Sequence, residues 1–191
     1  MTLAILIPGA GNSSRLGQAK QLVKYQGEPL LQNRINLCAL ICQQLYCVLG
    51  ANSKEISHKV THPSCRFIFN DNWHKGQAYS IFFGISQLPK SISAVMILLG
   101  DQWAVTAKDL QRLKASWQRQ PDKIHASSYQ NTNGVPVIFP GQFFEQIKQL
   151  GEQRQSIKQL LTEHQQLLVT VPMDNAAFDL DLPEQLQQLK Q

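Results

Sequence analysis

The sequence predicts a three-layer α/β protein with a mostly parallel sheet. Three observations lead there. Apolar, β-branched runs alternate with stretches of helical period. The first run passes straight into a glycine-rich loop, and the clearest one, Ala94-Val95-Met96-Ile97-Leu98-Leu99, ends on Gly100-Asp101. Strand and helix in alternation is the pattern of a parallel sheet covered on both faces.

In order, residues 3–7 form the first strand. Residues 29–41 read as a helix, with Pro29 tolerated in its first turn. A buried strand over 45–49 is closed by Gly50. A short helix over 53–60 and a strand over 66–69 follow. Residues 76–88 suit a helix, 94–99 the strongest strand, and 106–117 a helix in which Thr106 caps toward Asp109. After about residue 122 the pattern changes. Residues 124–129 and 135–139 read as an antiparallel pair around Asn131-Thr132-Asn133-Gly134. Helices are expected over 142–150 and 156–164, a late strand over 167–171, and a closing helix over 183–189. This last third is rich in glutamine, but its apolar positions keep helical spacing, so it reads as folded.

The 191 residues, 43% hydrophobic and 16% charged, have the composition of an ordinary globular protein. A formal charge of +5 suits anionic small ligands. The positives are scattered, without a dense run or aromatic interleaving, which argues against nucleic acid. Cys38, Cys42, Cys47 and Cys65 form no Cys-x-x-Cys pair and read as free thiols in a reducing compartment. No signal peptide is visible and no apolar run would cross a bilayer. A cytoplasmic protein without membrane contact is the expectation.

The chemistry concentrates at two places. The first is the loop Pro8-Gly9-Ala10-Gly11-Asn12-Ser13-Ser14-Arg15-Leu16-Gly17-Gln18-Ala19-Lys20. Small residues let the backbone approach a ligand, and exposed N–H groups bind anions. Arg15 and Lys20 add fixed positive charge. A Walker loop would need Gly-Lys-Ser/Thr, but Gln18 follows Gly17. A dinucleotide loop would need glycine where Ser14 stands. A plain strand-to-helix turn is the remaining alternative, and three glycines with two spaced cations argue against it. The second place is Asp101, expected to stand exposed at a strand end, where ligands of open parallel sheets bind. It can hold a hard cation such as Mg²⁺, or serve as a turn aspartate. In Asp179-Leu180-Asp181-Leu182-Pro183-Glu184, Asp181 is the candidate second metal ligand or the cap of the helix at Pro183. Asp179 stays the candidate if Asp181 caps.

The spacing Ala10-Gly11-x-Ser13-x-Arg15-x-Gly17-x-x-Lys20 resembles the signature loop of MobA-like NTP transferases, the family of molybdenum cofactor guanylyl- and cytidylyltransferases. Leu98 to Gln102 resembles its metal-binding strand end. Asn70-x-x-Trp73-x-x-Gly76-x-x-x-Ser80, Gly134-x-Pro136 and Asp179-x-Asp181-x-Pro183-Glu184 resemble further family segments. The resemblance implies a Rossmann-like nucleotidyltransferase fold in one domain, with residues 1–122 on the nucleotide side and 123–191 on the acceptor side. It puts Pro8, Gly9, Ala10, Gly11, Ser13, Arg15, Lys20, Gly76 and Ser80 at the nucleotide, and Trp73, Gly134 and Pro136 at the acceptor. It puts Mg²⁺ on Asp101 and Asp181, and the catalytic work on Arg15, Lys20 and Asp101. Trp73 could equally be a core or lid aromatic.

In this family an alanine before the loop glycine goes with CTP, so Ala10 favours CTP over GTP. The implied reaction transfers CMP to a phosphorylated acceptor of the molybdopterin type, with a transient contact to an enzyme that receives the product. A sugar phosphate acceptor, or a non-catalytic nucleotide-binding accessory protein, are the alternatives. Several positions depart from the family: Pro8, Gly9, Leu16, Trp103, Leu182, and the stretch Gly151-Glu152-Gln153-Arg154-Gln155-Ser156 in place of its acceptor segment. The departures put the second substrate in question rather than the reaction class.

Overall fold

A computed structural model describes residues 1–153 and 156–190. Arg154 and Gln155, part of the altered acceptor segment, lie outside the described residues. The elements run β1 (Leu3–Pro8), β2 (Lys24–Tyr25), β3 (Glu28–Pro29), α1 (Leu30–Ala39), β4 (Leu45–Leu49), α2 (Ser53–Lys59) and β5 (Cys65–Phe69). They continue as α3 (Gln77–Ser86), β6 (Ala94–Ile97), α4 (Ala107–Arg119), β7 (Ile124–Tyr129), β8 (Thr132–Pro140), α5 (Phe144–Glu152), α6 (Ile157–Glu163) and β9 (Leu168–Pro172). No helix among the described residues is long and apolar enough to cross a membrane.

The main sheet has seven strands in the order β5-β4-β1-β6-β8-β7-β9. The first four are parallel; β8 runs antiparallel to both β6 and β7, and β9 parallel to β7. Alternation along β1 divides the core. Leu3, Ile5 and Ile7 face one cluster with Leu31 and Ile35 of α1 and Leu110, Leu113 and Trp117 of α4. Ala4 and Leu6 face the other, with Ile81 and Ile85 of α3, Ile147 of α5 and Leu160 of α6. Helices therefore cover both faces, as the sequence predicts. Helix α3 lies close on the sheet because Gly84 lacks a side chain. A Cβ there would fall 2.7 Å from Leu6 Cδ1 and 2.8 Å from Val48 Cγ2. A third, smaller cluster of Leu16, Leu30, Leu180 and Leu189, with Trp103 and Tyr25 against it, joins the first loop to the C-terminal segment.

Local chemistry explains most element ends. Thr106 and Asp109 form a full capping box at α4, as expected. Ser156 accepts from Gln159 N at the start of α6. Cys38, Cys42, Cys47 and Cys65 are free thiols. Three expectations need correction. The β7–β8 turn falls on Gln130-Asn131, at the front edge of the expected Asn131-Thr132-Asn133-Gly134 rather than across it. Both turn residues have positive φ (46° and 57°), and Tyr129 pairs with Thr132. That is the geometry of a two-residue type I′ hairpin, and it leaves Gly134 inside β8. The closing segment Pro183–Lys190 is 3₁₀ rather than α-helical. The short β2–β3 hairpin, turned by Gln26-Gly27 at φ 52° and 87°, was not expected.

This topology positions the site. The carboxyl ends of β1, β4 and β6 share one sheet edge, so the first loop, Gly50 and Asp101 come together there. β8 enters from the opposite direction, with Val137 opposite Ile97. Its residues before Val137, Gly134 to Pro136 among them, therefore extend past β6 toward the same edge.

Candidate active site

A cleft of about 460 Å³ opens at this edge. The first loop lines it with Pro8, Gly9, Ala10, Gly11, Asn12, Lys20 and Gln21. The segment entering α3 adds Trp73, His74, Gly76, Gln77 and Ser80, and the turn after β6 adds Gly100 and Asp101. Residues from three distant parts of the chain that the sequence singles out thus meet in one depression.

The loop is shaped from within. Lys20 N donates to Ser13 Oγ at 3.1 Å, and Ser13 itself has φ 55°. The amide of Gln21, which is 3% exposed, donates to Gly9 O at 2.7 Å and Gly11 O at 2.9 Å. Two loop carbonyls are thus consumed inside the loop rather than turned toward an anion.

The opposite wall is knit by the asparagine motif. Asn70, buried, donates through Nδ2 to Ser80 Oγ at 3.1 Å and accepts from Asn72 N at 3.0 Å. Ser80 Oγ in turn donates to Gly76 O at 3.3 Å. The Ser80 hydroxyl lines the cleft but is spent on holding Gly76, whose φ of 104° demands glycine. Trp73 lies flush against Gly50. A Cβ on Gly50 would collide with the Trp73 side chain and sit 2.8 Å from Ala10 O. Trp73 therefore stands in the same cleft as the loop.

Charge gathers at the mouth. Lys20 Nζ donates to Asp101 Oδ2 and, at 3.0 Å, to Asp181 Oδ1. Arg15 Nη2 donates to the other Asp181 oxygen at 2.8 Å. Burial opposes the Lys20 charge, yet the Asp101 and Asp181 carboxylates outweigh it and hold its pKa above the ordinary value. For Asp181, burial works upward, but Lys20 and then Arg15 bring its carboxyl below the usual range.

Two expectations about these carboxylates are revised. Asp101 is not exposed but 6% accessible, because the Lys20 side chain closes over it. Asp181 does not cap the closing segment, since Gln185 Oε1 accepts from the backbone N–H of Asp181 and Leu182 instead. Its carboxylate is left to the two cations.

Asp179 stands apart. Burial, followed by the charges of Asp101 and Asp181, pushes its pKa up. A carboxyl raised in the folded state costs stability that builds as pH climbs from its ordinary value to the raised one and is present in full above it. Asp179→Asn should therefore raise the melting temperature at pH 7. The gain should fade as pH falls through the acidic range, where the wild-type carboxyl takes up its proton. Melting curves at pH 4 to 8 check this, and an unchanged or lowered Tm at pH 7 refutes it.

Gly134 and Pro136 do not line the cleft. Pro136 is buried, and Gly134 O accepts from Ser127 Oγ at 2.9 Å. A Cβ on Gly134 would meet the Tyr129 hydroxyl at 2.6 Å, so the glycine makes room for that ring. Gln102 connects this strand to the site. Its Nε2 donates to Val135 O at 2.8 Å and Ala176 O at 3.0 Å, and its Oε1 accepts from Leu99 N. Gln21, Gln102, Gly50 and Asn70 are the residues that shape the site without having been assigned a role from sequence. The only signal for the two glutamines was their place directly after Lys20 and Asp101.

No group of three or more histidine, cysteine, aspartate or glutamate side chains among the described residues is arranged to hold a metal. The Asp101–Asp181 pair nevertheless suits Mg²⁺. Both are oxygen donors facing one cation position, now filled by Lys20, and buried Asp101 Oδ1 has no hydrogen-bond partner among the described residues.

An α/β sheet that gathers a glycine-rich loop, two cations and a strand-end carboxylate at one edge belongs to the class of polyphosphate-handling proteins. Comparison with known proteins narrows the class. The profile of the MobA-like NTP transferase domain matches residues 5–167, and the chain belongs to that family. A probable molybdenum cofactor guanylyltransferase of Trichormus variabilis is 26% identical over 191 residues, covering 96% of this chain and 88% of the relative. A nicotine blue oxidoreductase of Paenarthrobacter nicotinovorans is 25% identical over 143 residues, covering 74% of this chain and 68% of the relative. Among solved structures, Rv0371c of Mycobacterium tuberculosis H37Rv superposes with a TM-score of 0.87 at 19% identity, covering 99% of this chain and 97% of that one. That last likeness speaks to the fold.

Proposed function

We propose that this protein transfers CMP from CTP to a phosphorylated acceptor of the molybdopterin type and releases pyrophosphate. Nucleotidyl transfer follows from the family. The observation that carries the site assignment is the Lys20 ammonium, held jointly by Asp101 and Asp181 at the mouth of the glycine-rich loop.

In this reading the loop and Lys20 receive the triphosphate. An oxygen of the acceptor phosphate attacks the α-phosphorus in line. The bond from that phosphorus to the bridging oxygen breaks, and pyrophosphate leaves with the electron pair. Lys20 and Arg15 offset the negative charge that grows on the leaving group. No side chain need act as nucleophile. Mg²⁺, held by Asp101 and Asp181, would supply charge neutralisation between the two phosphates when bound. Trp73, in the cleft wall, offers a flat face to a base or an acceptor ring. Contact with an enzyme that takes over the product belongs to the same reading.

The choice of CTP rests on Ala10, a buried residue of the cleft lining, at the position where the family resemblance associates alanine with CTP. The guanylyltransferase name of the Trichormus variabilis relative favours GTP instead. Competition binding of CTP and GTP separates the two. CTP should win, and Ala10→Gly should relax the preference only modestly, because one methyl group is worth at most roughly 1–3 kcal/mol of discrimination. A preference of the unmodified protein for GTP reverses the base and leaves the chemistry. Pyrophosphate release, measured with each of the four nucleotides against molybdopterin-type and sugar phosphate acceptors, tests the whole assignment. Release with none of them refutes it.

A further inference from the structure

We propose that Lys20 is a resident counter-ion of the metal site. Its ammonium fills the position between Asp101 and Asp181 that a divalent cation takes, and the nucleotide draws it away. The inference rests on the reading that this pair binds the metal.

Two observations point there. First, the ammonium is shared between one oxygen of each carboxylate, Oδ2 of Asp101 and Oδ1 of Asp181. A cation coordinated by the same two oxygens has no room beside it. Second, the Asp101 side chain is only 8% exposed, and its Oδ1 has no hydrogen-bond partner among the described residues. A carboxylate so buried needs a countercharge nearby. Among the described residues Lys20 is the cation in contact with it, and Arg15 reaches only the far oxygen of Asp181.

A metal entering alone must expel the ammonium and leave it without a partner in a partly buried place. A polyphosphate in the loop gives the ammonium a second anion to move to. Metal and nucleotide then help each other in, and the coupling is reciprocal. The divalent cation binds weakly without nucleotide and enters together with it.

The test is Mn²⁺ binding to the full chain without nucleotide, followed by calorimetry and by the EPR signal of free Mn²⁺. Lys20→Met should tighten binding on the order of thirtyfold or more, since it removes an apposed charge from a poorly solvated site. Arg15→Met is the control. It removes the same charge from the same carboxylate at a side chain that is 69% exposed. It should tighten binding by about threefold or less. Adding Asp101→Asn to Lys20→Met should abolish the gain. Where Lys20→Met folds poorly, Lys20→Gln is measured, and Mn²⁺ should raise its Tm far more than that of the wild type.

Equal tightening in the Lys20 and Arg15 variants would mean only a general charge effect and overturns the proposal. Tight Mn²⁺ binding to the wild type without nucleotide overturns it too, while leaving nucleotidyl transfer in place. Failure of Mn²⁺ to bind even with CTP present overturns the metal reading along with it.

Discussion

Asp101→Ala should lower turnover a hundredfold or more at saturating Mg²⁺ while the protein stays folded. The carboxylate sits at the end of β6, where the loop, Lys20 and Asp181 converge. In the proposed reading it holds the cation that would offset negative charge on the reacting phosphates, so its loss falls on the transition state. A hundredfold corresponds to about 2.7 kcal/mol. The fold should survive, because Lys20 keeps Asp181 as a partner and its side chain is still 21% exposed. Asp101→Asn keeps the shape and should lose nearly as much. Pyrophosphate release gives the rate and circular dichroism melting gives the fold. Near-normal turnover in a folded variant removes Asp101 from the metal site.

Lys20→Ala should cost on the order of a hundredfold in kcat/KM, with affinity and turnover both reduced. A cation facing polyphosphate helps in ground and transition states alike. The loss is expected even though the divalent cation then has easier access to Asp101 and Asp181, because no ammonium is left to meet the polyphosphate. CTP binding by calorimetry in the presence of Mg²⁺ should weaken, and kcat should fall in parallel. Unchanged affinity with normal rates would make Lys20 an ordinary lysine of the cleft rim.

The parallel half of the fold was legible because its signals are local. Continuous apolar runs such as Leu3 to Ile7 and Ala94 to Leu99 are suited to burial between two helical layers, and glycine and aspartate mark their carboxyl ends. The position of β8 was not legible. It is inserted between β6 and β7, and nothing in its own residues distinguishes β6 from another neighbour. Its turn was placed late, over Asn131 to Gly134, because the run of asparagines ending in glycine is a strong local signal. The glycine is required instead by the Tyr129 ring that crosses it. Asn131 and Gln130 accept positive φ without announcing it.

The site divides in the same way. Lys20 and Asp101 could be named because loop chemistry and strand ends are readable one at a time. Burial of Asp101, and the freedom of the Asp181 carboxylate once Gln185 takes the backbone N–H groups, depend on side chains meeting across the chain. Gln21 and Gln102 escaped for the same reason. A glutamine becomes a clamp only when two carbonyls arrive on either side of its amide.

The pairing of Lys20 with Asp181 also sets a timetable for synthesis. The two residues are 161 positions apart. At ordinary elongation rates, roughly ten to thirty seconds separate their appearance on the ribosome. Throughout that interval the nascent chain already carries the glycine-rich loop, and for the latter part Asp101 as well. The charge set at the cleft mouth is completed only when the segment around Leu180 docks against Leu16 and Leu30. The cleft edge is thus completed only after the segment carrying Asp181 has been made, long after the loop it closes on.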